Sequence, residues 1–543
     1  MAEMDLITSR LGQAGFTDVD CESALKGQKL PVNLGHSTVR LCLISGIRQH
    51  LDFARSDEVT DLCSTPGQEI FARARNARLI MSDVVPGREL MSNKESYPYC
   101  IWHPGVASED TYRKLAATYP DMRYQVGRAC AVAGYAQLYH ELNLLPDPCI
   151  AEEAREASRD NDGSRYIFEQ IMAAPVRYSV FNDYDLTIAL DSPKPGAFLN
   201  ADTAVSVTLK ERKKYQGCFW SKSYFNITED LGIGLETVKP KTVILTDDEA
   251  DLLVSPLPID LPTMNKDLLI LASAYEGNVD RYARLRRKGR SVKYEVHCLV
   301  PGIYRSTAMA FWLNRNPDIM HEVAAAWDED FVVDLRRGIH ARHIMNNATH
   351  HLLDADPPVP DEELPYWIWY PNTPSSYTLC KLAEARAAMR PQCARACIAA
   401  GYRKAYTKIM DMPYPEANMP VDPHKPLVPL PADGYLIREA ETTTYRDFFL
   451  EDMKRRREER GLKPQRPIHD RWKGRSPFQC ADNSSDVLYG SLPDHGKCMV
   501  QEAGLVHSMW GPFDAAELGN VRLYLSNRGS TNFVPQGSNI VLG

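Results

Sequence analysis

An internal duplication limits the fold of this chain more than any other feature of its 543 residues. The stretch 98–104 reads Pro-Tyr-Cys-Ile-Trp-His-Pro and returns at 365–371 as Pro-Tyr-Trp-Ile-Trp-Tyr-Pro, and 122–135 returns at 389–402. Both pairs are 267 positions apart. Aligned without a gap, residues 98–139 and 365–406 share twenty identities in forty-two positions, whereas chance would supply about three. The chain therefore carries two related copies, at about 40–142 and 296–409.

Each copy has the pattern of two successive helices. Small residues recur three or four positions apart around Ala129, Val132 and Ala133, as they do on one face of a helix. Gly134 and its counterpart Gly401 stand where the first helix should end, the usual place for a left-handed cap. The sequence thus predicts a pair of helices joined by a tight turn.

The same spacing of small, glycine, aromatic and aliphatic residues occurs a third time, around Gly277 in 271–285. This stretch resembles the helical half of an ankyrin repeat, although the Thr-Pro-Leu-His opening is absent and the glycines are not regularly spaced. The resemblance implies a mainly α fold. We expect a degenerate ankyrin-like helical repeat array with an internal duplication, a mixed α/β insertion and an irregular C-terminal region.

Changes in composition and residue pattern along the chain predict five segments. Alternating β-branched stretches at 174–181 and 204–209 predict short strands or extended loops in an insertion. A charged helix is predicted at 442–460, with Thr442 as its cap. The predicted segments are a first helical repeat unit at 1–150, a mixed insertion or connector at 151–262, a second helical repeat unit at 263–412, a proline-rich connector with a basic helix at 413–475, and an irregular C-terminal region at 476–543.

Charge and cysteine usage argue against several classes of protein. A net charge of −8 gives no global attraction to nucleic acid or to an anionic membrane. Thirteen cysteines without a Cys-x-x-Cys pair fit neither a disulfide scaffold nor a zinc finger. The N-terminus lacks the pattern of a secretory signal, and no run of about eighteen apolar residues predicts a membrane span. We expect a cytoplasmic protein, with the nucleus as the alternative.

An acidic stretch at 246–251 is the strongest catalytic candidate. Asp247, Asp248 and Asp251 have the spacing of an aspartate-rich motif, in which carboxylates one turn apart hold Mg²⁺ against a phosphate. Asp247 and Asp251 would be the metal ligands. The structural alternative is a helix capped by Thr246 whose acidic first turn suits the helix dipole.

Two tryptophans and one basic run are the candidate partner-binding residues. Trp102 and Trp369, which occupy equivalent places in the two copies, would anchor an interface or close the core of each copy. The run Lys454, Arg455, Arg456 and Arg457 would contact phosphate or form a solvated helix end.

Histidines at 340, 343, 350 and 351 form another candidate group. Histidines at positions i and i+3 share a helix face and so could gather a metal. No acidic or cysteine partner stands at a characteristic spacing, and the alternative is an ordinary set of structural histidines.

As a whole, the chain resembles uncharacterised fungal proteins with divergent helical repeats, on the strength of Ile-Met-Asn-Asn at 344–347, Pro-Tyr-Trp-Ile-Trp-Tyr-Pro at 365–371 and Arg-Ala-Cys at 395–397. That resemblance implies a binding or scaffold protein that holds a protein partner on its repeat surface. The alternative is an enzyme of specialised metabolism. A distant likeness to arginine-containing cyclodipeptide synthases would make the acidic stretch catalytic and the basic run a tRNA contact, although Asp251 replaces the expected glutamate.

Overall fold

A computed structural model describes residues 2–205 except 14 and 16, 242–244, 251–462 except 254, 265, 293–294, 326–329, 366–367, 370, 415–427 and 430–433, and 539–541. Helices dominate this part of the chain, which confirms the predicted mainly α, repeat-like fold. The chain divides into two compact units. Unit 1 comprises residues 1–243, 254–266 and 287–289, and unit 2 comprises 244–253, 267–286 and 290–543. The five predicted segments are finer than this division and stay a prediction.

The described part of unit 1 consists of helices followed by two small antiparallel sheets of two strands each. β1 pairs antiparallel with β4, and β2 pairs antiparallel with β3. The helices are α1 (Ala2–Leu11), α2 (Asp18–Leu25), α3 (Ser37–Gln49), α4 (Leu51–Ala54), α5 (Asp57–Ser64), α6 (Glu69–Met81), α7 (Glu109–Thr118), α8 (Arg123–Ala133), α9 (Ala136–Leu142), α10 (Pro148–Ala157) and α11 (Asp162–Ala173); the strands are β1 (Tyr178–Ser179), β2 (Phe181–Asn182), β3 (Thr187–Ile188) and β4 (Lys194–Pro195); and 3₁₀ turns lie at Lys94–Ser96 and Pro120–Met122.

Unit 2 also consists mainly of helices in its described residues. Its helices are α12 (Asp267–Glu276), α13 (Val279–Leu285), α14 (Glu295–Arg305), α15 (Thr307–Arg315), α16 (Pro317–Ala325), α17 (Asp330–Met345), α18 (His350–Leu353), α19 (Ser376–Ala385), α20 (Arg390–Ala399), α21 (Arg403–Met410), α22 (Gly434–Thr442) and α23 (Arg446–Glu459), with 3₁₀ turns at Asp361–Glu363 and Ala387–Met389. The remaining strands are β5 (Thr242–Ile244), β6 (Pro413–Tyr414), β7 (Val428–Pro429) and β8 (Asn539–Val541).

The helices and turns of the two copies correspond one to one in residue number. A shift of 267 residues carries α7 onto α19, the 3₁₀ turn 94–96 onto 361–363, and the turn 120–122 onto 387–389. The same shift carries the starts of α8 and α9 onto those of α20 and α21. The duplication in the sequence is therefore a duplication of structure.

Each copy also repeats one hydrogen-bonded corner. Asp83 adopts φ 63°, and its Oδ1 accepts hydrogen bonds from the Ser108 amide at 2.7 Å and the Thr111 hydroxyl at 2.9 Å. Asn347 adopts φ 62°, and its Oδ1 accepts from Ser375 at 2.8 Å and Thr378 at 2.7 Å. A short side-chain acceptor in a left-handed residue thus ties α6 to the N-terminus of α7, and α17 to that of α19.

The glycine caps predicted from the sequence are confirmed. Gly134, Gly277 and Gly401 have φ of 78°, 69° and 70°, the left-handed conformation that glycine adopts at little cost. They separate α8 from α9, α12 from α13, and α20 from α21. The third local repeat is therefore also a helix pair.

Three apolar cores lie within the described residues of the two units. In unit 1, one core gathers α2 to α6 around Leu43, Leu62 and Phe71, and a second gathers α7 to α11 around Tyr112, Val126 and Ile150. In unit 2, the core of α17 to α23 includes Met389 and Phe449. The small buried residues of α8 and α20 let neighbouring helices approach closely, as the periodicity predicted.

One local prediction was wrong in the described residues. Of the stretch 204–209, only Ala204 and Val205 are described; neither is in a strand, and the Val205 amide donates to Glu153 of α10 at 2.9 Å. Thr442 is the last residue of α22 and does not cap the basic helix, which begins at Arg446 after Tyr445. The predicted irregular region at 476–543 lies outside the described residues apart from β8. In the described part of the chain, no helix is both long and apolar enough to cross a bilayer.

Candidate functional site

A buried tryptophan, arginine and glutamate form a compact triad in unit 1. Arg128 of α8 lies with its guanidinium carbon 4.8 Å from the ring centre of Trp102. Its Nη2 is 3.2 Å from Oε1 of Glu153 on α10, and the Trp102 indole N–H donates to the same oxygen at 3.0 Å. All three side chains are buried. A cation stacked on an indole and paired with a carboxylate is a favourable arrangement away from water.

Unit 2 repeats this triad. Arg395 of α20 lies 5.1 Å from the ring centre of Trp369, and its Nε donates to Oε2 of Glu439 on α22 at 2.8 Å. The tryptophan and the arginine are related to those of unit 1 by the 267-residue shift, whereas the glutamate is not. The same three-residue arrangement therefore occurs in both units, and in each the glutamate comes from the helix that follows the copy.

In unit 1 the triad is extended by the segment 178–205. Arg128 also donates through Nη1 to Oδ1 of Asp183, and through Nη2 to the Thr203 carbonyl at 2.7 Å. The Tyr99 hydroxyl donates to the same Asp183 oxygen at 2.5 Å. The arginine of α8 thus holds two points of the segment that follows α11.

Two carboxylates, one on α10 and one at its N-cap, accept hydrogen bonds from the backbone of the same segment. Glu152 accepts from the amides of Ala201 at 2.9 Å and Thr203 at 2.8 Å, and from the Asn200 amide and the Thr203 hydroxyl. Asp147 caps α10 and also accepts from Val180 at 2.8 Å and Phe181 at 3.2 Å. Charge-assisted hydrogen bonds of this kind are stronger than those between neutral groups.

Asp202 connects the segment to two cations. Its Oδ2 accepts from Arg287 Nη2 at 2.6 Å, and its Oδ1 is 3.3 Å from Nζ of Lys266. The Tyr184 hydroxyl donates to Asp202 at 2.9 Å and accepts from Lys266 at 3.0 Å. We call Asp147, Glu152, Glu153, Asp183 and Asp202 the carboxylate network.

Burial changes the acidity of this network. Burial raises the pKa of Asp147 to about 6 and raises the pKa values of Glu152 and Glu153, although the groups that donate to them act in the opposite direction. Burial would also raise the Asp202 pKa, but Arg287 and Lys266 bring it below its usual value. The chain's own donors reach each of these carboxylates, although Oδ2 of Asp183 has no hydrogen-bond partner in the described residues. The arrangement is suited to fastening the segment 178–205.

The four candidate histidines come together in unit 2. The His351 ring centre is 5.1 Å from that of His340, 4.6 Å from that of His343 and 5.9 Å from that of His350. No acidic partner was evident from the spacing of residues in the sequence, but the 3₁₀ turn 361–363 places Oε2 of Glu363 3.9 Å from Nε2 of His340. These four histidines are called the histidine cluster.

Three imidazoles of the cluster, those of His340, His343 and His351, favour their neutral forms. Burial lowers the pKa of His340 to about 4 and that of His351 to about 3, and it also lowers the pKa of His343. Within the described residues, Nδ1 of His340 and both ring nitrogens of His351 make no hydrogen bond of good geometry. In the same part of the chain, no group of three His, Cys, Asp or Glu residues is arranged to hold a metal ion.

The acidic candidates are not brought into this site. Asp247 and Asp248 lie outside the described residues, and Asp251 is exposed. The predicted Mg²⁺ site and its catalytic role stay predictions.

The tryptophan candidates lie in the cores of their units. Trp102 is 4% exposed and Trp369 is 6% exposed. Their indole rings are covered by Arg128 and Arg395, so the alternative that they close each copy agrees with their positions. A contact between either ring and a partner would require the unit to open.

The basic run lies on α23 among carboxylates. Arg455 pairs with Glu459 at 2.8 Å and with Asp452, Arg456 pairs with Asp411 at 2.7 Å, and Lys454 is 3.9 Å from Glu458. Lys454 and Arg455 are exposed, while Arg456 and Arg457 are half-buried. Much of the positive charge is thus compensated locally, which weakens its attraction for phosphate.

One family model matches part of the chain. Residues 102–210 are similar to the YKP1 C-terminal domain. This stretch begins at Trp102 and contains Arg128, Glu153 and the rest of the carboxylate network. No curated protein and no solved structure matches the chain.

Proposed function

We propose that the protein is a binding or scaffold protein whose unit 1 presents an apolar surface to a protein partner. The observation that carries the proposal is a set of exposed apolar side chains beside the carboxylate network. Val176 is 42%, Phe198 43% and Ile259 66% exposed. Exposed apolar residues are ordinary when scattered, but a local group marks an interaction surface.

Hydrogen bonds between their neighbours keep these three residues in one locality. Arg177 Nη2 donates to Asp260 Oδ2 at 3.0 Å, and the Leu199 amide donates to Asp260 Oδ1 at 3.0 Å. Val176, Ile259 and Phe198 each precede one of these residues in the chain. We name them the apolar surface.

The carboxylate network supports the proposal because it fixes the backbone next to this surface. Glu152 holds the amides of residues 200, 201 and 203, immediately after Phe198. A surface that is already ordered loses less conformational entropy on binding. A protein with exposed apolar or aromatic side chains is the partner that fits this chemistry.

The test compares partner capture by matched variants of the full chain. Partners crosslinked to the wild type would be identified by mass spectrometry, and their affinity would then be measured directly with purified proteins. Phe198→Ser with Ile259→Ser is expected to weaken binding at least about tenfold, which corresponds to 1.4 kcal/mol or more. Tyr377→Ser, which changes a 73% exposed aromatic residue of unit 2, is the control. Equal affinity for both variants would exclude the apolar surface as the binding site.

The ankyrin-like character of the helix pairs and the cytoplasmic location belong to this proposal as predictions. The helix pairs on either side of Gly134, Gly277 and Gly401 support the former. Microscopy of the tagged full chain would test the latter.

The enzyme alternative depends on the acidic stretch alone. If the chain is an arginine-containing cyclodipeptide synthase, a microbial host that expresses it should accumulate new arginine-containing diketopiperazines. Asp248→Asn should abolish them, whereas Asp361→Asn, at an exposed aspartate elsewhere in the chain, should not. Extracts without such products would leave the binding function as the proposal.

A further inference from the structure

The histidine cluster gathers four imidazoles where one short helix meets a long one. His340 and His343 lie on α17, while His350 and His351 form the start of α18. His351 contacts all three of the others through its ring. Behind the rings, Ile344 and Leu352 belong to the apolar core of unit 2. The contact between α17 and α18 therefore includes imidazole rings beside apolar side chains.

We propose that the histidine cluster is an acid-sensitive latch, which holds α18 and the following segment up to Glu363 on α17 at neutral pH and releases them in mild acid. The device is conformational and does not depend on the proposed binding function.

Few groups around the rings would stabilise a proton. From α17, Arg336 faces His340, and His340 and His343 face each other. From α18, His350 faces His343 and His351, while the backbone of Ala348 alone favours a charge on His351. From the 3₁₀ turn, Glu363 faces His340, but it already pairs with Arg336. A proton on His340 would thus lie beside Arg336, and a second proton in the cluster would lie beside the first.

The other helices packed on α17 offer no compensating carboxylate in the described residues. On α14, Glu295 accepts from the Tyr282 hydroxyl at 2.6 Å and from the Val292 amide. On α16, Glu322 pairs with Arg286 at 2.6 Å, and Asp318 is exposed. Glu363 is therefore the acidic side chain that would compensate a charge on His340.

The sign of the effect follows from linkage. Histidine in an unfolded segment has a pKa near 6.5, so the released segment takes up protons that the folded cluster refuses. Release is consequently favoured as the pH falls below about 6.5, and the effect is complete only below the folded pKa values of about 4 and about 3. For one such histidine, the opening equilibrium at pH 5 should rise roughly 10- to 30-fold over that at pH 7.5.

Hydrogen exchange of the full chain tests the latch. Amide protection factors, which correct for the intrinsic effect of pH on exchange, would be measured for peptides spanning 340–363 at pH 7.5 and pH 5.0. The wild type should lose at least about tenfold protection at pH 5.0. His351→Phe keeps an aromatic ring without a titratable nitrogen, so the loss of protection should be smaller than that of the wild type by about the factor that one histidine contributes. His321→Phe, the same change at an exposed histidine of α16, should behave as the wild type.

A second variant tests the linkage argument. Glu363→Gln removes a carboxylate that faces His340, but at pH 5.0 a ring with a folded pKa of about 4 is already mostly neutral, so the pH-dependent loss of protection should differ from that of the wild type by less than about twofold. Unchanged wild-type protection between the two pH values would overturn the proposal. An equal loss in His351→Phe and in the wild type would also overturn it, because the cluster would then not be the source of the acid response.

Discussion

At the scale of single residues, the core of each unit contains a buried arginine in contact with a tryptophan and a glutamate. Arg128 and Arg395 are two of the largest fully buried side chains, and each stacks on a tryptophan and pairs with a glutamate. A buried ion pair contributes little compared with an apolar replacement, but loss of one partner leaves an uncompensated charge in the core. These residues therefore respond differently to single and to paired substitution.

Arg395→Met should lower the free energy of unfolding of unit 2 by roughly 3–5 kcal/mol, because Glu439 would lose its cation in the core. Arg395→Met combined with Glu439→Leu should recover most of that loss. Urea denaturation of the full chain measures both changes. Arg455→Met breaks pairs at a side chain that is 55% exposed and should cost less than about 1 kcal/mol. A double variant no more stable than the single one would contradict the pairing argument.

A second residue-scale prediction concerns helix crossings that tolerate only glycine. A Cβ atom added to Gly302 of α14 would lie 1.9 Å from the carbonyl oxygen of Ala274 on α12, and one added to Gly46 of α3 would lie 1.8 Å from that of Ala24 on α2. Gly302→Ala must push the two helices apart and should destabilise unit 2 by roughly 1–3 kcal/mol in thermal denaturation. Gly105→Ala meets nothing within 4 Å and should change stability by less than about 0.5 kcal/mol. Equal effects of the two changes would show that the crossing can relax.

At the scale of elements, the sequence predicted helix pairs and their glycine caps because periodicity and glycine act locally. It missed Glu153 and Glu439 because these glutamates lie on the helix after each copy, where the shift changes from 267 to 286 residues. A weak signal existed, since Asp147, Glu153 and Ala154 match Asp433, Glu439 and Ala440 at that second shift. The hold of α10 on the segment 178–205 could not be predicted, because backbone amides carry no sequence signal.

The element-scale prediction is that Glu152 orders the segment beside the apolar surface. Glu152→Gln keeps one carbonyl acceptor and replaces the other oxygen by a donor, so the Thr203 amide and hydroxyl lose their acceptor. The cost should be roughly 1–3 kcal/mol, which corresponds to about 5- to 150-fold faster exchange of amides 200–203. Hydrogen exchange with mass spectrometry measures it, and peptides of α3 serve as the internal control. Unchanged exchange at 200–203 would show that the segment is ordered by other contacts.

At the scale of the whole molecule, the two units share a duplicated frame but differ in which charged groups they bury. Unit 1 buries carboxylates whose pKa values are raised, and unit 2 buries imidazoles whose pKa values are lowered. Between pH values of about 4 and 6, the folded form of Asp147 binds a proton more readily than the unfolded form. The protonated carboxyl of Asp147 therefore stabilises unit 1 in acid, and this contribution is lost as the pH rises through 6. The histidine cluster has the opposite dependence.

We therefore expect acid to separate the unfolding of the two units. Between pH 7 and pH 5, Asp147 should add roughly 1 kcal/mol to the stability of unit 1, while each titrating histidine should remove roughly 1–2 kcal/mol from that of unit 2. Calorimetry of the full chain at pH 7.5, 6.5 and 5.5 should show a transition assigned to unit 2 that moves to lower temperature faster than the transition of unit 1. Asp147→Asn should remove the contribution of that carboxyl, and His351→Phe should reduce the shift of unit 2. Transitions that move together in both variants would mean that the buried groups do not set the pH response, because each substitution removes a titrating group from only one unit.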